Sequence, residues 1–416
     1  MTGSTDEHPI APTPLDADGP PASTDARIEV HARLLAWYAV HGRATLPWRH
    51  TRDPYAILVA EVMLQQTQLE RVLPKYHAFL DRFPTLAALA AAPTSDVIRA
   101  WAGLGYNLRA VRLQAIARQA LEHYGGTLPN TLDGLLALAG IGRYTAGAVA
   151  CFAFGLPVAT VDTNIRRVLW RLFRGVEPAI WPSGVRAARD ALALAEWALP
   201  TERAYDWQQA LMDLGATVCL SRRPLCERCP LTGCCAAYAE TARTALFPSG
   251  EALARLRDTR AAKPAGVSNP ADGLTATAEQ GPAGRRPSPA RVAETPAAYA
   301  ATSTSLPARP DRVGAMYASP GPASPATSPT ESTPTRRKEP PFAHSSRYYR
   351  GRAVAALRAL ASGQSLTFAA LGPQVKDDYT PADLPWLRAL LSGLARDGLA
   401  RLTTDPAGTE RAALPE

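Results

Sequence analysis

Five of the six cysteines in this chain fall between Cys219 and Cys235. Four of them, Cys219, Cys226, Cys229 and Cys235, are separated by six, two and five residues. Four thiols within seventeen residues can converge on one centre. In a chain of 416 residues such crowding points to a bound metal rather than to disulfides. Two centres take four cysteines. A structural zinc is usually held by two Cys-x-x-Cys pairs, whereas a [4Fe–4S] cluster tolerates one compact ladder. Only Cys226 and Cys229 form such a pair. Cys234 adjoins the ladder as a bystander, and Cys151 lies in an apolar run as a small buried hydrophobe.

Composition divides the rest. Length predicts two or three domains. Residues 1–26 are polar and Pro-rich and read as a disordered tail, without the basic start and apolar middle of a secretory signal. No apolar run is long enough to span a bilayer, so a cytoplasmic protein with no membrane partner is expected. Residues 27–240 carry dense helical periodicity, as at Ile28, Leu34, Leu35 and Tyr38. Asp53-Pro54 predicts a helix start, an N-cap side chain followed by a proline whose missing amide costs nothing there. Residues 241–341 turn to Ala, Pro, Ser, Thr and Arg and read as a low-complexity linker, with transient helix over Glu251 to Ala262. Residues 342–416 regain order: helices over Arg350 to Ala361, Leu366 to Leu371 and Leu384 to Leu399, then a strand over Ala400 to Leu402, predict a small winged-helix-like unit. The net charge of +8 favours a polyanionic partner only weakly.

Three local patterns carry chemistry. Around Leu135 to Ala153 one helix ends near Leu138, Gly140-Ile141-Gly142 turn the chain, and a second helix starts. Glycines there let the backbone approach a ligand, and the amides opening the second helix form an anion site. A lone Gly-x-Gly is otherwise an ordinary tight turn. Glu61 lies on a helix otherwise rich in apolar residues, and Asp162 stands at a helix N-terminus. The ordinary roles are a paired glutamate and a helix cap. The functional alternative is an acid–base pair: burial raises a glutamate's pKa so that it holds a proton, and an ionised aspartate stabilises a developing sugar cation. Arg222 and Arg223 lie inside the cysteine ladder, either as a solvated basic loop or as phosphate contacts.

Together these residues resemble the adenine DNA glycosylases of the MutY type, within the endonuclease III superfamily. The resemblance runs from about Arg27 to Tyr238. It rests on Leu46-Pro47-Trp48-Arg49, Glu61-Val62-Met63-Leu64-Gln65-Gln66-Thr67-Gln68, Gly103-Leu104-Gly105-Tyr106, the hairpin, Val161-Asp162-Thr163-Asn164, Met212-Asp213-Leu214-Gly215-Ala216 and the cysteine ladder. The order and spacing of these motifs are specific where each alone is moderate.

The resemblance implies an all-α, two-lobed helix-hairpin-helix core with a [4Fe–4S] loop over 217–237, gripping double-stranded DNA with adenine flipped into a pocket. It implies a nucleoid-associated monomer that cuts adenine from sugar opposite 8-oxoguanine or guanine. Glu61 matches the general acid and Asp162 the residue that meets the sugar cation. Tyr144 and Asn164 match residues supporting those carboxylates. Trp48, Arg49, Leu64 and Gln209 fall where the family lines its adenine pocket. Gln66 and Tyr106 match side chains that enter the duplex around the oxidised guanine. Cys219, Cys226, Cys229 and Cys235 match the cluster ligands. Bifunctional relatives carry a lysine at the position of Tyr144; tyrosine cannot form a Schiff base, so a monofunctional enzyme leaving an abasic site is expected.

The chain also departs from the family. Ala139 stands where proline usually precedes the hairpin glycines, Asn107 where a second tyrosine is common, and Thr163 where glycine is frequent. Phe342-Ala343-His344 imitates the Phe-Ser-His loop of the Nudix-like domain that many members carry, but lies at a linker end before a segment too short for such a domain. Two other functions are weighed: an endonuclease III-like lyase on oxidised pyrimidines, opposed by Tyr144, and a non-catalytic damage sensor, opposed by retention of both carboxylates.

Overall fold

The computed structural model describes residues 24–178, 181, 183–246 and 345–416. Residues 1–23 of the expected tail, the helical stretch expected over Glu251 to Ala262, and the Phe342-Ala343-His344 triplet lie outside the described residues.

One apolar core gathers α2 (Pro54–Leu64), α3 (Leu69–Arg82), α4 (Leu86–Ala91), α5 (Thr94–Ala100), α6 (Leu108–Tyr124), α7 (Leu132–Ala137) and α8 (Arg143–Phe152). The second gathers α1 (Thr24–His41), which returns to pack with α9 (Thr163–Phe173), α10 (Val185–Ala198) and α11 (Ala204–Thr217), and with the cysteine loop. α12 (Ala236–Leu246) follows that loop and reaches past Thr241, into the stretch expected to be linker. The helical core is thus built as two lobes, each around its own apolar cluster.

α2 begins as the sequence predicts. Asp53 caps it, accepting from the Tyr55 amide at 3.0 Å, and Pro54 opens it. Every residue from Tyr55 to Met63 is buried. A helix apolar on all sides belongs inside a core, and this one carries Glu61 in with it. The hairpin pairs α7 with α8 across a turn in which Gly140 sits at φ +107°, a left-handed backbone that other residues resist.

The C-terminal segment corrects the expected element list. It holds α13 (Ser346–Arg358), β1 (Leu366–Thr367), α14 (Phe368–Val375), α15 (Leu384–Arg396), β2 (Arg401–Thr404) and β3 (Glu410–Ala413). The strands form an antiparallel sheet in the order β1-β3-β2, with Leu366 and Leu402 both opposite Ala412. The chain is therefore not all-α. The helix expected to start at Leu366 starts at Phe368, because the Thr367 hydroxyl caps it by accepting from the Ala370 amide at 3.2 Å. β1 is two residues long, and the Glu-Arg-Ala-Ala of β3 has no β-branched or aromatic residue. Both are strands because of their partners, which no local pattern announces.

This segment shares a core with the first lobe. Ile98 of α5 is fully buried among Val354, Leu357, Leu371 and Leu391, and Leu108 and Val111 of α6 pack beside it. The Ser95 amide donates to Pro415 O at 2.8 Å, and Arg99 Nη2 donates to Leu360 O at 3.0 Å. Ile98→Ala should therefore cost about 2–5 kcal/mol, and amide exchange should rise across 345–416 before it rises in α2 or α8. Unchanged protection of 345–416 would show that Ile98 does not hold the segment in place.

Candidate active site

The two carboxylates, a hundred residues apart in sequence, come together between the lobes. Glu61 lies near the C-terminal end of α2 and is 7% exposed. Burial pushes its carboxyl up to about 7; a hydrogen bond from the Tyr144 hydroxyl opposes that shift, and the negative charge of Asp162 adds to it. Tyr144 comes from α8, which packs along α2. Its hydroxyl also lies 3.7 Å from Met212 Sδ of α11. Burial first, and then both carboxylates, hold the phenol proton on Tyr144 far above its ordinary range.

Asp162 caps α9: its Oδ1 accepts from the Ile165 amide at 2.6 Å, and its Oδ2 accepts from Asn164 Nδ2 at 3.2 Å. Burial raises its carboxyl, and the Ile165 and Asn164 hydrogen bonds and the Arg167 charge oppose the rise. Helix cap and charged group near Glu61 are therefore not competing roles, because different oxygens of one carboxylate meet different partners.

Behind Asp162 stands a relay of fixed groups. Asn164 Oδ1 accepts from Arg167 Nη2 at 2.9 Å, which also donates to Gly215 O at 2.7 Å, while Arg167 Nε donates to Cys219 O at 2.9 Å. One turn on, Arg171 Nη1 donates to Leu220 O at 2.7 Å and reaches Cys219 Sγ at 3.3 Å. A methyl group at Gly215 would stand 2.8 Å from Asn164 Cβ, so α11 meets the start of α9 too closely for any side chain there. Gln208 fixes the approach to Asp162, accepting from the Thr160 amide at 2.7 Å and donating to Val158 O at 2.7 Å. Sequence reasoning missed Arg167 and Gln208; a polar residue on an otherwise buried helix face was the available signal.

The cysteine loop follows α11 directly. Cys219, Cys229, Cys234 and Cys235 pack against the second core. The Cys229 thiol is pushed up to about 11, first by burial and then by the neighbouring charges of Cys219, Cys235 and Cys226, so all four ladder sulfurs act on one another. Among the described residues, no three His, Cys, Asp or Glu side chains are gathered as a metal-holding group. The donor set itself fits a cluster: four thiols, mutually repelling once ionised, with the Arg171 guanidinium against one of them. A cleft beside this loop is lined by Asn164, Arg167, Gly215 and Ala216 on one side and Leu220 to Arg223 on the other. Arg222 and Arg223 are exposed there.

The pocket positions divide. Trp48 is buried edge-on to Tyr76, with ring centroids 5.3 Å apart. Arg49 is committed to Asp213 through two hydrogen bonds of 2.6 and 2.7 Å, and its buried Nε has no hydrogen-bond partner among the described residues. Burial works to raise the fully buried Asp213 carboxyl, but Arg49 and Arg43 outweigh it and hold the carboxyl below the usual range. Gln209 is buried on α11, and Leu64 half-buried at the end of α2.

Gln66 and Tyr106 stand out by backbone. They are the two non-glycine residues at positive φ among the described residues, at +54° and +46°. Such conformations cost about 1–3 kcal/mol and persist where surroundings impose them. Arg109, which sequence reasoning missed, braces the backbone beside both. It is 7% exposed and donates to the carbonyls of Val62, Met63 and Gln65, to Thr67 Oγ1, and to the carbonyls of Leu104 and Gly105. One side chain thus ties the end of the Glu61 helix to the loops that present Gln66 and Tyr106.

The hairpin keeps Gly140 and Gly142 exposed, with Gly142 as the N-cap of α8. At Ala139 the structure supplies what the missing proline would have given. The Ala139 amide donates to Gln119 Oε1 at 2.8 Å, and its carbonyl accepts from Gln119 Nε2 at 3.2 Å. A proline has no amide proton for the first of these bonds.

Comparison with known proteins fits this arrangement. Residues 59–179 match the family described as HhH-GPD superfamily base excision DNA repair protein. The chain is 44% identical over 225 residues to an adenine DNA glycosylase of Mycolicibacterium smegmatis, covering 54% of this chain and 73% of that one. It is 42% identical over 226 residues to the adenine DNA glycosylase of Homo sapiens, covering 52% of this chain and 41% of that one. A thymine/uracil-DNA glycosylase of Methanothermobacter thermautotrophicus is 35% identical over 224 residues, covering 52% of this chain and 96% of that one.

The Glu61 shift has a consequence for stability. Between its ordinary value of 4.5 and about 7, the folded state keeps a proton that the unfolded chain has released. Stability should therefore fall as pH rises through that window, by about 3 kcal/mol in all. Urea unfolding of Glu61→Gln should lose most of this slope; Asp162, raised by burial, leaves a remainder of the same sign, and His31, which burial holds below its ordinary value, one of the opposite sign. A variant with the parent's slope would show that Glu61 is not the buried acid.

Proposed function

Since the chain belongs to the adenine DNA glycosylases, base-excision-repair enzymes of the helix-hairpin-helix superfamily, we propose that it releases adenine mispaired with 8-oxoguanine or guanine and leaves an abasic site. The observation that carries this is a buried carboxyl held at about 7 beside a second carboxylate. Hydrolysis of a purine N-glycosyl bond needs a proton for the departing base and a negative charge beside the sugar cation that forms. Glu61, protonated near neutral pH and oriented by Tyr144, gives its proton to the imidazole ring of adenine. Asp162, with one oxygen bound in the α9 cap, turns the other toward the oxocarbenium-like centre. Asn164 keeps that oxygen in place. Trp48, Arg49, Leu64 and Gln209 line the adenine pocket, and Gln66 and Tyr106 enter the duplex beside the opposite base. Gly140, Gly142, Arg222 and Arg223 meet phosphates. With tyrosine at 144, no amine stands there to form a Schiff base with the sugar, so strand cleavage is not expected.

Cys219, Cys226, Cys229 and Cys235 would hold a [4Fe–4S] cluster, which when bound offsets part of the charge of the four thiolates and staples the loop carrying Arg222 and Arg223. We read residues 27–240 as the catalytic core, 1–26 and 241–341 as tail and linker, and 342–416 as a winged-helix-like unit, its helix–strand order supporting that assignment. The protein acts as a cytoplasmic, nucleoid-associated monomer.

Single-turnover adenine release from duplexes with adenine opposite 8-oxoguanine, guanine or thymine tests the activity. Release opposite 8-oxoguanine, with breaks only after alkali and no borohydride trapping, is expected. Breaks without alkali would favour the lyase, and binding without release the sensor. Glu61→Gln should slow release about 10²–10⁴-fold and Asp162→Asn about 10²–10³-fold, with duplex binding retained. Purified protein should be brown, with about four iron and four sulfide per chain; colourless protein containing zinc would overturn the cluster.

A further inference from the structure

The C-terminal segment meets the core at a particular place. α5 ends at Ala100 and α6 begins at Leu108, so these two helices bracket the loop that presents Tyr106. Both contribute to the core shared with residues 345–416: Ile98 from α5, Leu108 and Val111 from α6. Gly398, after α15, lies so near Val111 that an added methyl would stand 3.3 Å from it. The segment therefore clasps both ends of one loop.

From α13 it also reaches the loop's tip. The Arg347 guanidinium lies over the Tyr106 ring, 4.0 Å from its centroid, while Arg109 approaches the same ring at 5.5 Å from the core. Tyr106 is 39% exposed and holds its unfavourable backbone at φ +46°. A solvent-exposed aromatic in a strained conformation is kept there only by contacts that outweigh the strain. A cation over the ring face contributes about 0.5–2 kcal/mol, of the size required.

We propose that residues 345–416 are part of the surface that reads the base opposite adenine, with Arg347 as a positioning residue that holds Tyr106 ready to enter the duplex. The partner is the strand carrying the base across from the flipped adenine. This rests on Tyr106 being the side chain that enters. Arg347 acts through the ring, so its contribution belongs to mismatch recognition and not to general attraction for phosphates.

The test uses the full chain and four proteins: parent, Arg347→Ala, Tyr106→Ala and the double variant. Dissociation constants are measured for an adenine:8-oxoguanine duplex and for the matched adenine:thymine duplex, over a range of salt. Arg347→Ala should reduce the preference for the mismatch about 3–30-fold, with the helical circular dichroism and the matched-duplex affinity unchanged. Arg347→Lys, which keeps a cation over the ring, should retain most of the preference. In the Tyr106→Ala background the Arg347 change should do nothing further. An equal loss for both duplexes, with the salt slope smaller by about one, would make Arg347 a plain phosphate contact and overturn the proposal. So would an unchanged preference in Arg347→Ala alongside a reduced one in Tyr106→Ala, leaving the role of Tyr106 intact. An unchanged preference in Tyr106→Ala would overturn the role of Tyr106, and the proposal with it.

Discussion

The withdrawal of one carboxyl group from water governs this structure. Glu61 rides into the interior because α2 is apolar around its whole circumference, so any acid on its last turn is buried. An isolated buried carboxylate is costly, and the group meets that cost by keeping its proton near neutral pH. The surrounding architecture makes this tolerable and useful. α8 brings the Tyr144 hydroxyl, and the cap of α9 brings a second carboxylate near enough to add to the upward shift that burial sets. A carboxyl that keeps its proton and a second carboxylate beside it thus arise from the packing of three helices drawn from two lobes.

Arginines do the joining. Arg109 gathers carbonyls from the end of α2 and from the Gly103–Tyr106 loop. Arg167 links Asn164, and through it Asp162, to the first cysteine of the ladder. Arg49 and Arg43 converge on Asp213. Each lies where helices end and leave carbonyls or a carboxylate without partners, a need that a planar group with five donors meets better than an ammonium. Buried charge of this kind is weak as a stabiliser but strong as a specifier of geometry, and an active site shared by two lobes depends on geometry.

Departures from the family pattern show how local changes are absorbed. Ala139, in place of a proline, gains an amide proton, and Gln119 accepts it. A hydrogen bond thus holds the residue before the left-handed Gly140. The C-terminal segment docks beside the loop carrying Tyr106.

Much was legible in the sequence because it depends on neighbours along the chain. The Asp53-Pro54 start, the Gly140 turn and the cap at Asp162 are local facts, and each appears where it was expected. The two lobes, the meeting of Glu61 with Asp162, the strand identity of Glu410 to Ala413 and the yoke at Arg109 are different in kind. They join residues tens to hundreds of positions apart, and no periodicity encodes which helix end will face which. The sequence determined which groups could do chemistry, because residue type and local backbone preference are carried by each residue. Only the tertiary structure decided which of them lose water together, because burial belongs to the packed whole, and burial is what turns an ordinary glutamate into an acid at neutral pH.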